Sequence, residues 1–232
     1  MSFISSNTFG TLNSASDGSI VEHIFGYVST VLQDFKGTKY ENENGITNRL
    51  CKSLEKRKPS EYPFFFHHQN IENDKENTST DFAVFGTYAY AQQFDFSEDE
   101  EYPLIKFEAK RLTTSLPNNR EKEYVIGEYN EHIQIKNSGG IERFKNGRHG
   151  KNVTNAGIIG YVQSNSFLFW KEKIDNWIHE EISNSHDSSL SWDTDDILKF
   201  VKTNDSISEY ISISKRKQNT PLVLRHLWIN FN

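Results

Sequence analysis

Two stretches of this chain carry residues whose types and spacing could do chemistry. The first, Ile105-Lys106-Phe107-Glu108-Ala109-Lys110-Arg111, reads as a buried strand. Side chains alternate faces along a strand. Lys106, Glu108 and Lys110 therefore share one face, and Ile105, Phe107 and Ala109 share the other. A carboxylate beside an ammonium, on a strand with an apolar back, marks a candidate site. The second stretch, Thr80-Asp81-Phe82-Ala83-Val84-Phe85-Gly86, reads as another strand that opens on an acid. Asp81 and Glu108 are 27 positions apart, enough for a hairpin with an acidic loop at its tip. Carboxylates so placed could hold a hard divalent cation, which stabilises charge and activates water.

The elements that must position these residues follow from periodicity. Residues 1–17 are rich in Ser, Asn, Thr and Gly and read as a flexible arm, leaving 18–232 as one domain. Ile20, Ile24, Val28 and Val31 recur at helical spacing and predict a helix over 19–35. Ile46, Leu50 and Leu54 predict a second over 42–56. Strands are expected over 63–69, 80–89 and 102–112, with an acidic loop over 95–101. Asn118 reads as an N-cap with Glu121 as its capping-box partner, predicting a helix to about Gln134. A glycine-rich basic loop is expected over 136–152, a strand over 156–162, a helix over 167–182 and a polar loop over 183–196. Strands over 210–214 and 222–231 close the chain. This order is that of an α/β protein with a mixed sheet flanked by helices.

Bulk properties exclude several classes. Of the 232 residues 35% are hydrophobic, but 13% are aromatic, which supplies large buried areas and argues for a folded globule. No apolar run approaches the roughly 20 residues that span a bilayer. The N-terminus lacks a secretory pattern, and the single Cys51 excludes an intrachain disulfide, so a cytoplasmic protein is expected. The net charge is −6 but unevenly placed: residues 71–101 carry nine acids and one base, and residues 106–151 carry ten bases and six acids. A basic face around an acidic centre suits nucleic acid; a mixed-charge surface is the alternative.

Asp81 followed by Glu108-Ala109-Lys110 across a hairpin resembles the core signature of the PD-(D/E)XK, or restriction-endonuclease-like, nuclease superfamily. The resemblance extends loosely over residues 41–231, through Gly139-Gly140-Ile141-Glu142-Arg143-Phe144, the 156–162 strand and Leu224-Arg225-His226-Leu227-Trp228-Ile229. It looks like an arrangement found in some bacterial restriction-like and defence-associated nucleases. The proline that names the motif is replaced by Thr80. The resemblance implies a sheet of about five strands and a Mg²⁺- or Mn²⁺-dependent endonuclease. It implies that Asp81, Glu108 and the backbone carbonyl of Ala109 hold the metal. Lys110 is then the group that orients or deprotonates the attacking water. Glu43, at the start of the second helix, resembles the acid that completes such a metal site; its other reading is an acid complementing the helix dipole. Gln134 corresponds loosely to a polar residue that related nucleases place near the metal. The implied substrate is DNA, with RNA still open, and a partner protein or homodimer is expected to supply targeting.

Arg143, Lys145, Arg148, His149 and Lys151 lie in or near the glycine-rich loop and read as phosphate contacts, Arg143, Lys145 and Arg148 foremost, or alternatively as a solvated basic loop. The spacing matches neither Walker A nor a dinucleotide fingerprint. His67, His68 and Cys51 match no zinc module and read as packing residues. His226 reads as a satisfied core histidine. A nuclease-fold subunit that binds nucleic acid or a partner without catalysis is the alternative function. An unrelated cytosolic enzyme would need its own polar pocket.

Overall fold

The computed structural model describes residues 17–73, 78–93, 103–130, 133–136, 138–217 and 220–232. The expected arm and the acidic loop over 95–101 lie outside the described residues, apart from Asp17. Two helices open the described chain, α1 (Asp17–Asp34) and α2 (Glu43–Arg57), followed by β1 (Phe64–Asn73), β2 (Thr78–Gly86), the short α3 (Tyr88–Gln93) and β3 (Pro103–Leu112). A 3-10 turn (Asn118–Arg120), a hairpin of β4 (Glu128–Asn130) and β5 (Ile133–Lys136), and α4 (Gly140–Lys145) come next. The chain then runs through β6 (Asn155–Val162), α5 (Phe167–Ser183), a second 3-10 turn (Thr194–Asp196), β7 (Lys199–Thr203), β8 (Ile207–Ser214) and β9 (Leu222–Asn230).

Seven strands form one mixed sheet in the order β1-β2-β3-β6-β9-β8-β7, two more than expected; β4 and β5 pair apart from it. β6 is central and runs parallel to both β3 and β9. A strand buried on both faces reads as a continuous apolar run, as Ala156-Gly157-Ile158-Ile159-Gly160-Tyr161-Val162 does. Its glycines are places of close approach. A Cβ on Gly157 would enter the Phe107 ring, and one on Gly160 would enter the Trp228 indole.

Strand alternation sorts the core into two layers. Phe107 and Ala109 of β3, Ile159 and Tyr161 of β6, and Leu227 and Ile229 of β9 face α1 and α2, where Ile24, Val28, Leu32, Ile46, Leu50 and Leu54 are fully or almost fully buried. Leu112, Ile158, Leu224 and Trp228 face the other way, against Trp170, Ile174 and Ile178 of α5. Each such side chain contributes about 1.5–3 kcal/mol by leaving water. The apolar half of β3 is thus sealed under α2, and the half bearing Lys106, Glu108 and Lys110 faces the opposite layer.

The helix expected over 118–134 is not there. The carbonyls of Glu123, Tyr124 and Val125 accept the N–H groups of Gly140, Ile141 and Glu142 at 2.9–3.1 Å, the first N–H groups of α4. Carbonyls used in that way cannot continue a helix of their own. Tyr124, Val125 and Ile126 are buried in succession, which the burial of one helical stripe does not produce. β7 also differs from expectation: every one of its residues is exposed, so its sequence carries no alternation to read. No described helix is long and apolar enough to cross a membrane.

Candidate active site

The site is assembled at β3, where β2, α2 and α4 converge. β2 and β3 pair antiparallel with Phe82 opposite Phe107. That register carries Asp81 to the backbone of β3, where its Oδ2 accepts the N–H of Ala109 at 2.7 Å. One residue to either side, Glu108 and Lys110 share a face, and Lys110 Nζ lies 2.6 Å from Glu108 Oε1. Glu43 comes from α2. Asn42 caps that helix by accepting the Gly45 N–H at 2.7 Å. Thr47 ties the first turn down, donating to the Glu43 carbonyl and standing 3.0 Å from the Tyr161 hydroxyl of β6. So held, Glu43 Oε2 accepts the Arg111 N–H at 3.1 Å and Oε1 lies 3.6 Å from Lys110 Nζ. Asp81, Glu108, Lys110 and Glu43, four residues singled out in the sequence, are brought together.

Glu108 is 1% exposed and has more cationic neighbours than the sequence predicted. Arg143 Nη1 reaches Oε1 at 2.7 Å, and His149 Nδ1 lies 3.1 Å from Oε2. Burial alone would raise the Glu108 pKa, but Lys110, His149 and Arg143 outweigh it and hold the group far below the carboxylate range. Asp81 goes the other way: burial first, then the neighbouring Glu108, push it up to about 8 against the pull of Lys110. Glu43 is raised chiefly by burial, with Lys110 opposing and Glu123 and Glu108 adding to it. Burial would lower the Lys110 pKa, but Glu108, Glu43 and Asp81 together raise it, so it stays an ammonium. The cluster is strongly polarised: one fully ionised carboxylate wrapped in cations, and two whose charge is poorly compensated.

The phosphate-contact expectation is corrected for Lys145. Lys145 is completely buried and bonds both oxygens of Asp196 at 2.8 Å, with the Trp192 ring beneath it. A lysine so enclosed is no phosphate contact. Arg143 turns inward to Glu108. Arg148 is half-buried, and its N–H donates to Asn146 Oδ1. Gln134 has its backbone in β5 rather than on a helix, and its side chain lies outside the described residues. His226 is a satisfied core histidine, held between the Tyr124 hydroxyl at 2.8 Å and the Ser212 hydroxyl at 3.0 Å, with burial holding its pKa down to about 3. His149, read in the sequence only as a member of the basic loop, instead faces Glu108, and no local pattern announces that contact.

Among the described residues, no three His, Cys, Asp or Glu side chains form a cage that could hold a metal ion. The donor chemistry nonetheless fits a hard divalent cation. Mg²⁺ takes one or two carboxylates and keeps several waters. Burial first and Glu108 second disfavour the charge on Asp81, and a bound cation would offset both.

No protein-family model, curated protein or solved structure matches the chain.

Proposed function

We propose that this protein is a restriction-endonuclease-like, metal-dependent nuclease that hydrolyses phosphodiester bonds in DNA. The observation that carries this reading is the convergence of Asp81, Glu108 and Lys110 at the β2–β3 pair, with Glu43 delivered from α2. Asp81, Glu108 and the Ala109 carbonyl would hold Mg²⁺ or Mn²⁺, with Glu43 completing the set. The bound cation would supply charge stabilisation at the phosphate and a lowered pKa for the attacking water. Lys110, kept as an ammonium chiefly by Glu108, orients that water and counters phosphate charge. Glu108 stays ionised throughout the neutral range because of its cationic neighbours.

The test is incubation with plasmid, linear duplex, single-stranded DNA and RNA in Mg²⁺, Mn²⁺ or EDTA. Cleavage of DNA that EDTA abolishes is expected. Cleavage undiminished in EDTA would sink the metal mechanism. One observation favours a second reading, a non-catalytic nuclease-fold subunit that binds nucleic acid or a partner protein: Glu108 Oε1 is already occupied by both Lys110 and Arg143. Under that reading nucleic acid binds but is never cut, with any metal.

A further inference from the structure

The segment Asn146-Gly147-Arg148-His149-Gly150 follows α4 and has the glycine content of a phosphate-binding loop. Its hydrogen bonds point elsewhere. A phosphate loop needs N–H groups free to meet the anion. Here the N–H of Asn146 goes to Glu142 O, that of Gly147 to Phe144 O, that of Arg148 to Asn146 Oδ1 and that of His149 to Arg143 O. Gly147 and Gly150 have φ of 77° and 66°, a left-handed backbone that other side chains rarely adopt. The Gly150 carbonyl accepts from Arg216 Nη1 at 2.8 Å, which pins the far end of the turn.

The turn delivers one buried group. His149 is 1% exposed, and its ring stands edge to face against Phe144. Its Nδ1 faces Glu108 Oε2 at 3.1 Å, close in distance but poorly aligned for a hydrogen bond. α4 sends Arg143 to the other oxygen of the same carboxylate. One short helix and the turn after it thus stand against both oxygens of Glu108, Arg143 bonded to one and His149 facing the other. We propose that His149 is a positioning residue that fixes the orientation of the Glu108 carboxylate towards a divalent cation, and that the turn over residues 146–150 is built to deliver it.

This inference rests on the nuclease reading for what Glu108 does. Partners behind a metal ligand typically contribute 10–100-fold to metal affinity or activity. Mn²⁺ titration by calorimetry and steady-state cleavage of a labelled duplex test it, in the parent, His149→Leu and His149→Gln. His149→Leu is expected to weaken Mn²⁺ binding about tenfold or more and to lower kcat with KM for the duplex unchanged. His149→Gln, which keeps an N–H donor, is expected to recover most of both. A purely packing role would change the melting temperature and leave Mn²⁺ affinity and kcat per folded molecule at parental values; that result in His149→Leu overturns the inference. If His149→Leu does not fold, Gly147→Ala displaces the turn without touching the site, and parental Mn²⁺ affinity there overturns it equally. A parent that neither binds Mn²⁺ nor cuts nucleic acid overturns the nuclease reading and this inference together. A parent that does both, matched by His149→Leu, overturns the inference alone.

Discussion

At the scale of single residues, the carboxylates of the site are not equivalent, and they should respond differently to replacement. Glu108 neutralises Lys110 and Arg143 in a buried place, with His149 against its other oxygen. Removing one partner of a buried ion pair costs about 3–5 kcal/mol because a charge is left uncompensated. Glu108→Ala should therefore abolish cleavage and lower stability by about that amount in urea denaturation. Asp81→Asn should abolish cleavage while leaving stability unchanged or higher, since it removes a crowded carboxyl. Equal destabilisation by the two variants would contradict the charge distribution described above. The lysines differ as well. Lys110 meets Glu108 and Glu43, whereas Lys106, four residues along the same face, stands roughly 13 Å away at about 3.3 Å per residue. Lys110→Ala should still bind metal and nucleic acid yet cut at least about a hundredfold more slowly. Lys106→Ala should change turnover far less. A dead Lys106→Ala beside an active Lys110→Ala would mean the roles are reversed.

At the scale of elements, α4 serves the site through Arg143 and the core through Lys145. The two residues sit two positions apart and do opposite work. Lys145 joins α4 to the 3-10 turn at Thr194–Asp196, where Ser214 of β8 also bonds Asp196 at 2.7 Å. Lys145→Ala leaves that aspartate buried and unpaired. It should cost about 3–5 kcal/mol in denaturant unfolding and leave the salt dependence of nucleic-acid binding intact. Each phosphate contact contributes a slope near −0.9 on duplex DNA. A Lys145→Ala protein of parental stability whose salt slope drops by about 0.9 would restore the residue to the phosphate-binding surface. α2 works similarly through its ends: Asn42 and Glu43 belong to the site, and Ile46, Leu50 and Leu54 to the core. Helix packing therefore sets the position of Glu43.

At the scale of the whole molecule, part of the positive charge in 106–151 is internal: Lys110 and Lys145 are buried against Glu108 and Asp196. This leaves a pH signature. In the folded state Asp81 holds its proton to about pH 8, whereas an unfolded aspartate releases it near its ordinary value. The native state therefore binds more protons between those limits, and stability falls as pH rises through them. Melting temperatures from pH 5 to 8 should show the parent losing stability relative to Asp81→Asn, and excess Mg²⁺ should shrink the difference. His226 acts at the other end. Burial keeps it neutral when folded, so its contribution is lost as pH falls below the ordinary histidine value. Parent and Asp81→Asn curves that run parallel from pH 5 to 8 would show that Asp81 is ionised in the folded protein.

Local patterns were legible in the sequence because they belong to consecutive residues. The apolar spacing of α1, α2 and α5 and the continuous apolar run of β6 announce their elements without reference to anything distant. A period of two likewise places Lys110 beside Glu108, whereas the resemblance implied Asp81 as their partner and the β2–β3 register brings it there. Tertiary structure alone decided the partners. Glu108 meets Arg143 across 35 positions, Lys145 meets Asp196 across 51, and the Arg111 N–H meets Glu43 across 68. Such contacts depend on sheet register and helix packing, which no local window contains. The same reason explains the helix that failed to form after Asn118. Asn118 makes no capping bond and stands inside a 3-10 turn after Pro117, and the carbonyls a longer helix needed are taken by α4, an element that begins some twenty residues later in the chain.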